Sequence, residues 1–410
     1  MSCTNDLDAL MQIPLPSGGL RLPEKQYLVS LRPESRRKVG ALMRSTIPRV
    51  KAPLRFRVLR SRLPRRVKRH LFSEIGVAED SNKLKAYAED LLKLPFGKIA
   101  EADSDLTTDR SVALRACANI MDKAIVGNAH VKCKALAMYN EWLYGGRTTF
   151  ALALEGAPGI GKTTFVKEAL VQAFGRPVVF INLGGAADVS FLSGHTYTYE
   201  GARYGRLAAG LIEAKVMNPI IYFDELDKVS NSARGDEIIN TLVHLTDPAQ
   251  NTHIRDLYFH SVPLDFSKCV LVFSYNDPSR ISSVLLDRLD RVRMNTPNAT
   301  ETMRVVREQM VPRALERFGS VAFEVHDSAL QLVCTRHKHD SGLRGVQRSI
   351  ENIISAAAMC HTYGSTQVVG YAGGENQNTL TIDAGFAGHI LQQHACCMSP
   401  SAELPCTMYT

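Results

Sequence analysis

Residues 150–164 read Phe-Ala-Leu-Ala-Leu-Glu-Gly-Ala-Pro-Gly-Ile-Gly-Lys-Thr-Thr. Five mostly apolar residues, Phe150–Leu154, run into a glycine-rich turn, and a helical pattern over 162–174 stops at Gly175. A strand, a tight turn and a helix in that order present backbone N–H groups at a helix N-terminus, the arrangement that wraps an anion. Gly156, Ala157, Pro158, Gly159, Ile160, Gly161, Lys162, Thr163 and Thr164 are therefore read as a phosphate cradle. In it Lys162 would reach the terminal phosphates and the Thr163 hydroxyl would hold Mg2+.

Outward from this turn, apolar runs at 177–183, 220–223 and 269–274 alternate with helical patterns at 207–217 and 238–245. Unbroken apolar strands separated by helices predict a parallel sheet covered on both faces. The 220–223 run ends in Asp224 and Glu225. A strand delivering two acids beside a phosphate cradle fits Asp224 as a second Mg2+ ligand and Glu225 as the general base that activates water. The 270–275 run ends at Asn276. Ligands bind outside the carboxyl ends of such strands, so Asn276 could orient that water.

The flanks differ from this centre. Leu84, Tyr87, Leu91 and Leu92 recur at helical spacing, with further helical runs at 109–123 and 128–143. Residues 299–362 again read as helical, and 363–410 as a tail with a strand near 379–382 and a weak helix at 383–394. The expected organisation is a flexible lead and basic arm (1–69), a small helical segment (70–145), a large α/β domain (146–297), a small helical lid (298–362) and the tail (363–410).

Composition sets the remaining bounds. Hydrophobic residues make up 45% and charged residues 22% of 410, which suits a soluble globular protein and excludes collagen-like and wholly disordered chains. No stretch reaches 18 apolar residues, so no membrane partner is expected. The nine cysteines include no CxxC pair, and residues 1–20 lack a basic, apolar leader; an intracellular, cytoplasmic setting follows as the expectation. The charge is uneven: residues 32–69 hold fifteen Lys/Arg and one acid, Glu34, against a formal +8 for the whole chain. Such an arm suits nucleic acid, an acidic protein partner or a solvated tail. Its like charges favour an extended segment until a polyanion is met.

The order of these motifs resembles the AAA+ ATPases, and in detail the ATPase module of the Lon ATP-dependent proteases. The similar stretches are LPFGK (94–98), IVG (125–127), GAPGIGKTT (156–164), INLGGAADVSFLSGHTYTYEGARYGR (181–206), DELDKVSNSARGD (224–236), LTDPAQN (245–251), LLDRLDRV (285–292) and SGLRGVQRSI (341–350). The resemblance implies an ATP-hydrolysing ring, a hexamer, acting on polypeptide with ATP and Mg2+. It implies that Ile125, Val126 and Gly127 border the nucleotide, that Arg288 is an arginine finger acting on a neighbouring subunit, and that Arg344 is the lid's arginine acting in cis. Tyr199 and Glu200 fall where the family carries a pore loop, with Glu200 replacing an aliphatic residue. The last lysine is Lys338, so no Ser–Lys peptidase dyad can follow the lid. The resemblance thus points to a Lon-like ATPase without its own protease, with a separate protease as a partner to be sought.

Overall fold

The computed structural model describes residues 22–30, 32, 34–35, 38–39, 52–77, 81–100, 109–144, 150–186, 188–197, 201–229, 232–318, 323–338, 342–363, 365–371 and 380–397. They divide into two compact units, Met1–Leu92 and Lys93–Thr410.

The larger unit is built on five parallel strands: β1 (Phe150–Glu155), β2 (Val178–Asn182), β3 (Ile220–Asp224), β4 (Val270–Tyr275) and β5 (Asp290–Arg293), in the spatial order β2-β3-β4-β1-β5. Every residue of β4 and all but the last of β1 and β3 are buried, which is why these strands read as unbroken apolar runs. Side chains alternate across the sheet. Leu152, Leu154, Tyr222, Val270 and Val272 join one core with Cys117, Met121, Val131 and Ala135 of the helices Arg110–Ala124 and Ala129–Leu143. Phe165, on the helix that follows β1, is 1% exposed in this core, and truncating a ring so buried costs about 3–5 kcal/mol. Toward the opposite face, Phe223 stacks on Phe273 and Gly210 of the helix Arg206–Ala214 lies against Val179.

This architecture is the doubly covered parallel α/β sheet expected from the sequence. β5 was not expected: its residues are polar and largely exposed, so Asp-Arg-Val-Arg carries no buried-strand pattern although it pairs with β1. The chain passes from β1 to the β2 edge, steps back through β3 and β4 to β1, and ends on its other side. The carboxyl ends of β1, β3 and β4 therefore lie next to one another, where such sheets bind ligands.

A second core in the same unit gathers Val306, Ala314, Leu330, Val333, Val346, Ile350, Ile353 and Ile354 from the helices following Asn298. Asn298 starts them with a capping box: its side chain accepts from the Glu301 N–H at 2.8 Å, and Glu301 accepts from the Asn298 N–H at 2.9 Å. The same core contains Ile382, Phe386, Ile390 and Leu391. Strand β7 (Leu380–Ile382) pairs with β6 (Phe323–Val325), and the helix Ala384–Cys397 packs behind it. The segment read as a tail from 363 thus completes the lid's core over 380–391. The three-residue β6 is too short to stand out in a helical stretch.

In the smaller unit the helices Leu54–Arg60, Arg65–Val77 and Asn82–Leu91 bury Val58, Leu63, Val67, Leu71, Ile75, Leu84, Tyr87 and Leu91. The prolines of 32–69 allow short helical or extended pieces, and charge favours extension; over Leu54–Arg60 and from Arg65 the helical alternative holds. Leu63, Val67, Leu71 and Ile75 recur every four residues, and that apolar stripe outweighs the repulsion among the exposed Arg60, Arg62, Arg65, Arg66 and Arg69, while Arg55 lies over the Phe72 ring at 4.1 Å. The helix Arg65–Val77 crosses position 69, and the two units divide at Leu92/Lys93 rather than at 69 or 145. Among the described residues no helix is long and apolar enough to cross a membrane.

Candidate active site

The loop after β1 turns through three glycines with positive φ, Gly156 (155°), Gly159 (78°) and Gly161 (99°), conformations that a side chain would strain. The turn delivers Lys162 to the head of the helix, 9% exposed, where burial holds its ammonium below the usual lysine range. Its Nζ donates to Gly156 O at 2.5 Å, to Ala157 O at 3.1 Å and to Asn276 Oδ1 at 2.7 Å. One cation thus already joins the β1 loop to the end of β4.

Around it opens a cleft of about 370 Å3. Its wall includes Pro158, Gly159, Ile160, Gly161, Lys162, Thr163, Thr164, Asp224, Glu225, Asn276, Ile125, Val126 and Arg344. The structure therefore brings together most of the residues singled out in the sequence. Gly156 and Ala157 stand behind the wall, their carbonyls taken by Lys162. Gly127 also stands outside it: with φ 73° it turns the chain, and a β-carbon there would lie 2.5 Å from Glu301 Oε1. Arg288 lies elsewhere, paired to Asp247 Oδ2 at 3.1 Å. Tyr199 and Glu200 fall outside the described residues.

The acids have distinct surroundings. Register pairs Phe223 with Phe273, so the next residues, Asp224 and Ser274, stand side by side. Asp224 Oδ1 accepts from Ser274 Oγ at 2.5 Å, from the Glu225 N–H at 3.0 Å and from the Tyr222 hydroxyl at 3.2 Å. Tyr222 OH also contacts Thr163 Oγ1 at 3.3 Å, and burial pushes its phenol up to about 12, so it stays protonated. Glu225 adopts a left-handed backbone (φ 58°), a conformation costing of order 1 kcal/mol for a residue with a side chain. Its carboxylate occupies the space where Gly184, after β2, would carry a β-carbon.

These residues fit a magnesium nucleotide. Thr163 and Asp224 offer hard oxygens at the helix head, and Mg2+ takes one or two protein oxygens beside phosphates and water. With Oδ1 taken up by three donors, Asp224 Oδ2 has no hydrogen bond among the described residues. The glycine turn supplies the backbone cradle.

Several functional neighbours left no sequence pattern. Asp227, 2% exposed, accepts on Oδ2 from the N–H groups of Asn276 and Asp277 at 3.3 Å and so fixes the strand end that carries Asn276. Gln309 donates to the carbonyls of Lys123 and Ala124 at 3.2 Å, tying the lid to the Ile125–Val126 wall. The lid loop rests directly on the glycine turn: Leu343 N–H donates to Gly159 O at 2.9 Å, and the Arg344 stem packs over Gly159. Arg313 and Arg317 also line the cleft but are engaged by Glu168 and Glu351. Tyr222 is the exception, because its place two residues before Asp224 puts both on one face of β3.

Residues 152–296 match the family described as "ATPase family associated with various cellular activities (AAA)". The chain thus carries an ATPase domain of that family and is an ATP hydrolase. Over that domain and its flanks it is similar to the Lon proteases. It is 33% identical to the Lon protease of Campylobacter concisus over 68% of this chain and 34% of that protein, and 32% identical to the Lon protease of Salinispora arenicola over 77% and 42%. A Lon protease homolog of Acanthamoeba polyphaga mimivirus is 26% identical over 71% of this chain and 30% of its own length. The chain thus spans about a third of the length of these curated relatives.

Proposed function

We propose that this chain couples ATP hydrolysis, between subunits of a hexameric ring, to the unfolding or remodelling of polypeptide, without a peptidase of its own. The convergence of Lys162, Thr163, Asp224, Glu225, Asn276 and Arg344 on one cleft carries this reading. In it the backbone N–H groups of residues 159–163 and the Lys162 ammonium bind the phosphates. Thr163 and Asp224 would hold Mg2+, which when bound neutralises charge on the phosphate oxygens. Glu225 takes a proton from the attacking water, Asn276 orients that water, and Arg344 reaches the phosphates from the lid. Arg288, outside its own cleft, acts on the neighbour's nucleotide. Tyr199 and Glu200 grip substrate in the ring's pore. The relatives are proteases by name. An intracellular, reducing setting belongs to the reading, supported by the free thiols of Cys117, Cys133, Cys269, Cys334 and Cys360.

A second reading, a nucleic-acid-associated motor, is favoured by one observation. Arg60, Arg62, Arg65, Arg66 and Arg69 are exposed along one turn and helix of the smaller unit. Stimulation of the ATPase separates the two. Unfolded protein should raise turnover if the first holds. DNA should raise it, with affinity falling as log salt at a slope near −0.9 per phosphate contacted, if the second does. Stimulation by neither rejects both.

A further inference from the structure

The run 220–223 reads as four apolar core residues, yet its third member carries a hydroxyl into the metal-binding corner of the cleft. Tyr222 is fully buried, and its ring meets Phe180 edge-on at 5.5 Å between centroids. A phenylalanine would pack the same way. The oxygen does something the ring does not: it lies 3.3 Å from Thr163 Oγ1 and 3.2 Å from Asp224 Oδ1, the two side chains assigned above to Mg2+.

A phenol has one proton to give and lone pairs to receive. Donating to Asp224 Oδ1, it accepts the proton of Thr163 Oγ1. The chain runs Thr163 hydroxyl to Tyr222 hydroxyl to Asp224 carboxylate, with Ser274 and the Glu225 N–H closing the same oxygen. This order has two geometric consequences. Thr163, with its proton directed inward at Tyr222, keeps its lone pairs for the cleft. Asp224, with Oδ1 taken by three donors, is left Oδ2 as its free oxygen. We infer that Tyr222 is a positioning residue of the metal site: its hydroxyl locks Thr163 and Asp224 in the mutual orientation that accepts Mg2+ beside a nucleotide. The inference rests on the reading of this cleft as a magnesium-nucleotide site. Groups that orient a metal's ligands in this way are worth about tenfold or more in metal affinity.

The test is Tyr222→Phe in the full chain, which removes one oxygen and keeps the ring. The melting temperature serves as the control for folding. Three quantities are read: Mn2+ affinity of the ADP-loaded chain by electron paramagnetic resonance, the Mg2+ concentration for half-maximal ATP turnover, and the affinity for a fluorescent ADP in EDTA. The expected result is roughly tenfold weaker Mn2+ binding and a matching rise in the Mg2+ requirement, with affinity in EDTA unchanged. Ser274→Ala, which leaves Asp224 Oδ1 two donors and leaves Thr163 untouched, should shift the metal response less. Parental Mn2+ binding in Tyr222→Phe overturns the inference, as does an equal loss of nucleotide affinity with and without metal, which is what a packing role would give. If the parental ADP complex itself binds no Mn2+, the reading beneath the inference fails with it. If the parent binds Mn2+ and the variant binds it equally, the phenol's role alone falls.

Discussion

Gly342 is the tightest point between the lid and the phosphate cradle. A β-carbon built there would lie 2.3 Å from the Pro158 carbonyl oxygen and 3.0 Å from the carbonyl carbon of Gly159. Both are backbone atoms of a strained turn, so no side chain can swing aside. Gly342 has no left-handed φ, so the contact alone opposes a substitution. Restoring ordinary van der Waals spacing requires the two loops to part by about 1 Å. That movement weakens the Leu343 N–H bond to Gly159 O, worth about 1 kcal/mol, and carries Arg344 away with it. A misplacement of about 1 Å at a catalytic arginine costs on the order of a hundredfold in rate. Gly342→Ala should therefore lower kcat for ATP by about 10²-fold and nucleotide affinity by roughly tenfold or less, with the melting temperature unchanged, because the lid core lies apart from this contact. Steady-state ATPase and fluorescent-nucleotide titration read both. Gly185→Ala, where a β-carbon meets nothing within 4 Å, is the matched control. Turnover of Gly342→Ala within twofold of the parent would refute the claim that lid contact places Arg344.

Lys162→Ala should abolish nucleotide binding, read by the same titration, since the cation that links the cradle to Asn276 is gone. Arg288→Ala should keep nucleotide affinity and lose hydrolysis; mixing it with Lys162→Ala should restore part of the activity at mixed interfaces, and absence of rescue with subunit exchange confirmed would count against a shared site. Tyr199→Ala should leave ATPase intact while slowing the unfolding of a tagged substrate, and an unchanged unfolding rate would remove the pore-loop assignment. The purified chain should cleave no casein with ATP present; cleavage that survives repurification and vanishes in Lys162→Ala would overturn the reading without a peptidase.

The parts of the site that were legible in the sequence are those whose chemistry forces a pattern. The cradle needs glycines where φ is positive, so Gly156, Gly159 and Gly161 announce it, and Asp224 and Glu225 stand out because acids end a buried strand. Asp227 lies inside the 224–236 stretch, but its role, like that of Gln309, was illegible because each acts on a backbone group far along the chain, a relation that no local spacing records. Ser274 became a neighbour of Asp224 only through the β3–β4 register. Charge misled at 54–69: the fifteen cations of 32–69 suggested an extended arm, but the four-residue recurrence of Leu63, Val67, Leu71 and Ile75 was the stronger term. The last strand and helix, expected at 379–382 and 383–394, lie at Leu380–Ile382 and Ala384–Cys397; what was missed is that they belong to the lid's core, because glycine- and asparagine-rich residues precede them and the apolar face of Phe386, Ile390 and Leu391 is short.

The central claim is that the cleft hydrolyses ATP with Glu225 as the base. Glu225→Gln keeps the size and the left-handed backbone of the residue and removes only its ability to take a proton. In a single-turnover experiment with radiolabelled ATP, this variant should bind ATP as tightly as the parent, hold it uncleaved, and release phosphate on the order of a hundredfold or more slowly. Phosphate release at the parental rate with full ATP occupancy would contradict it.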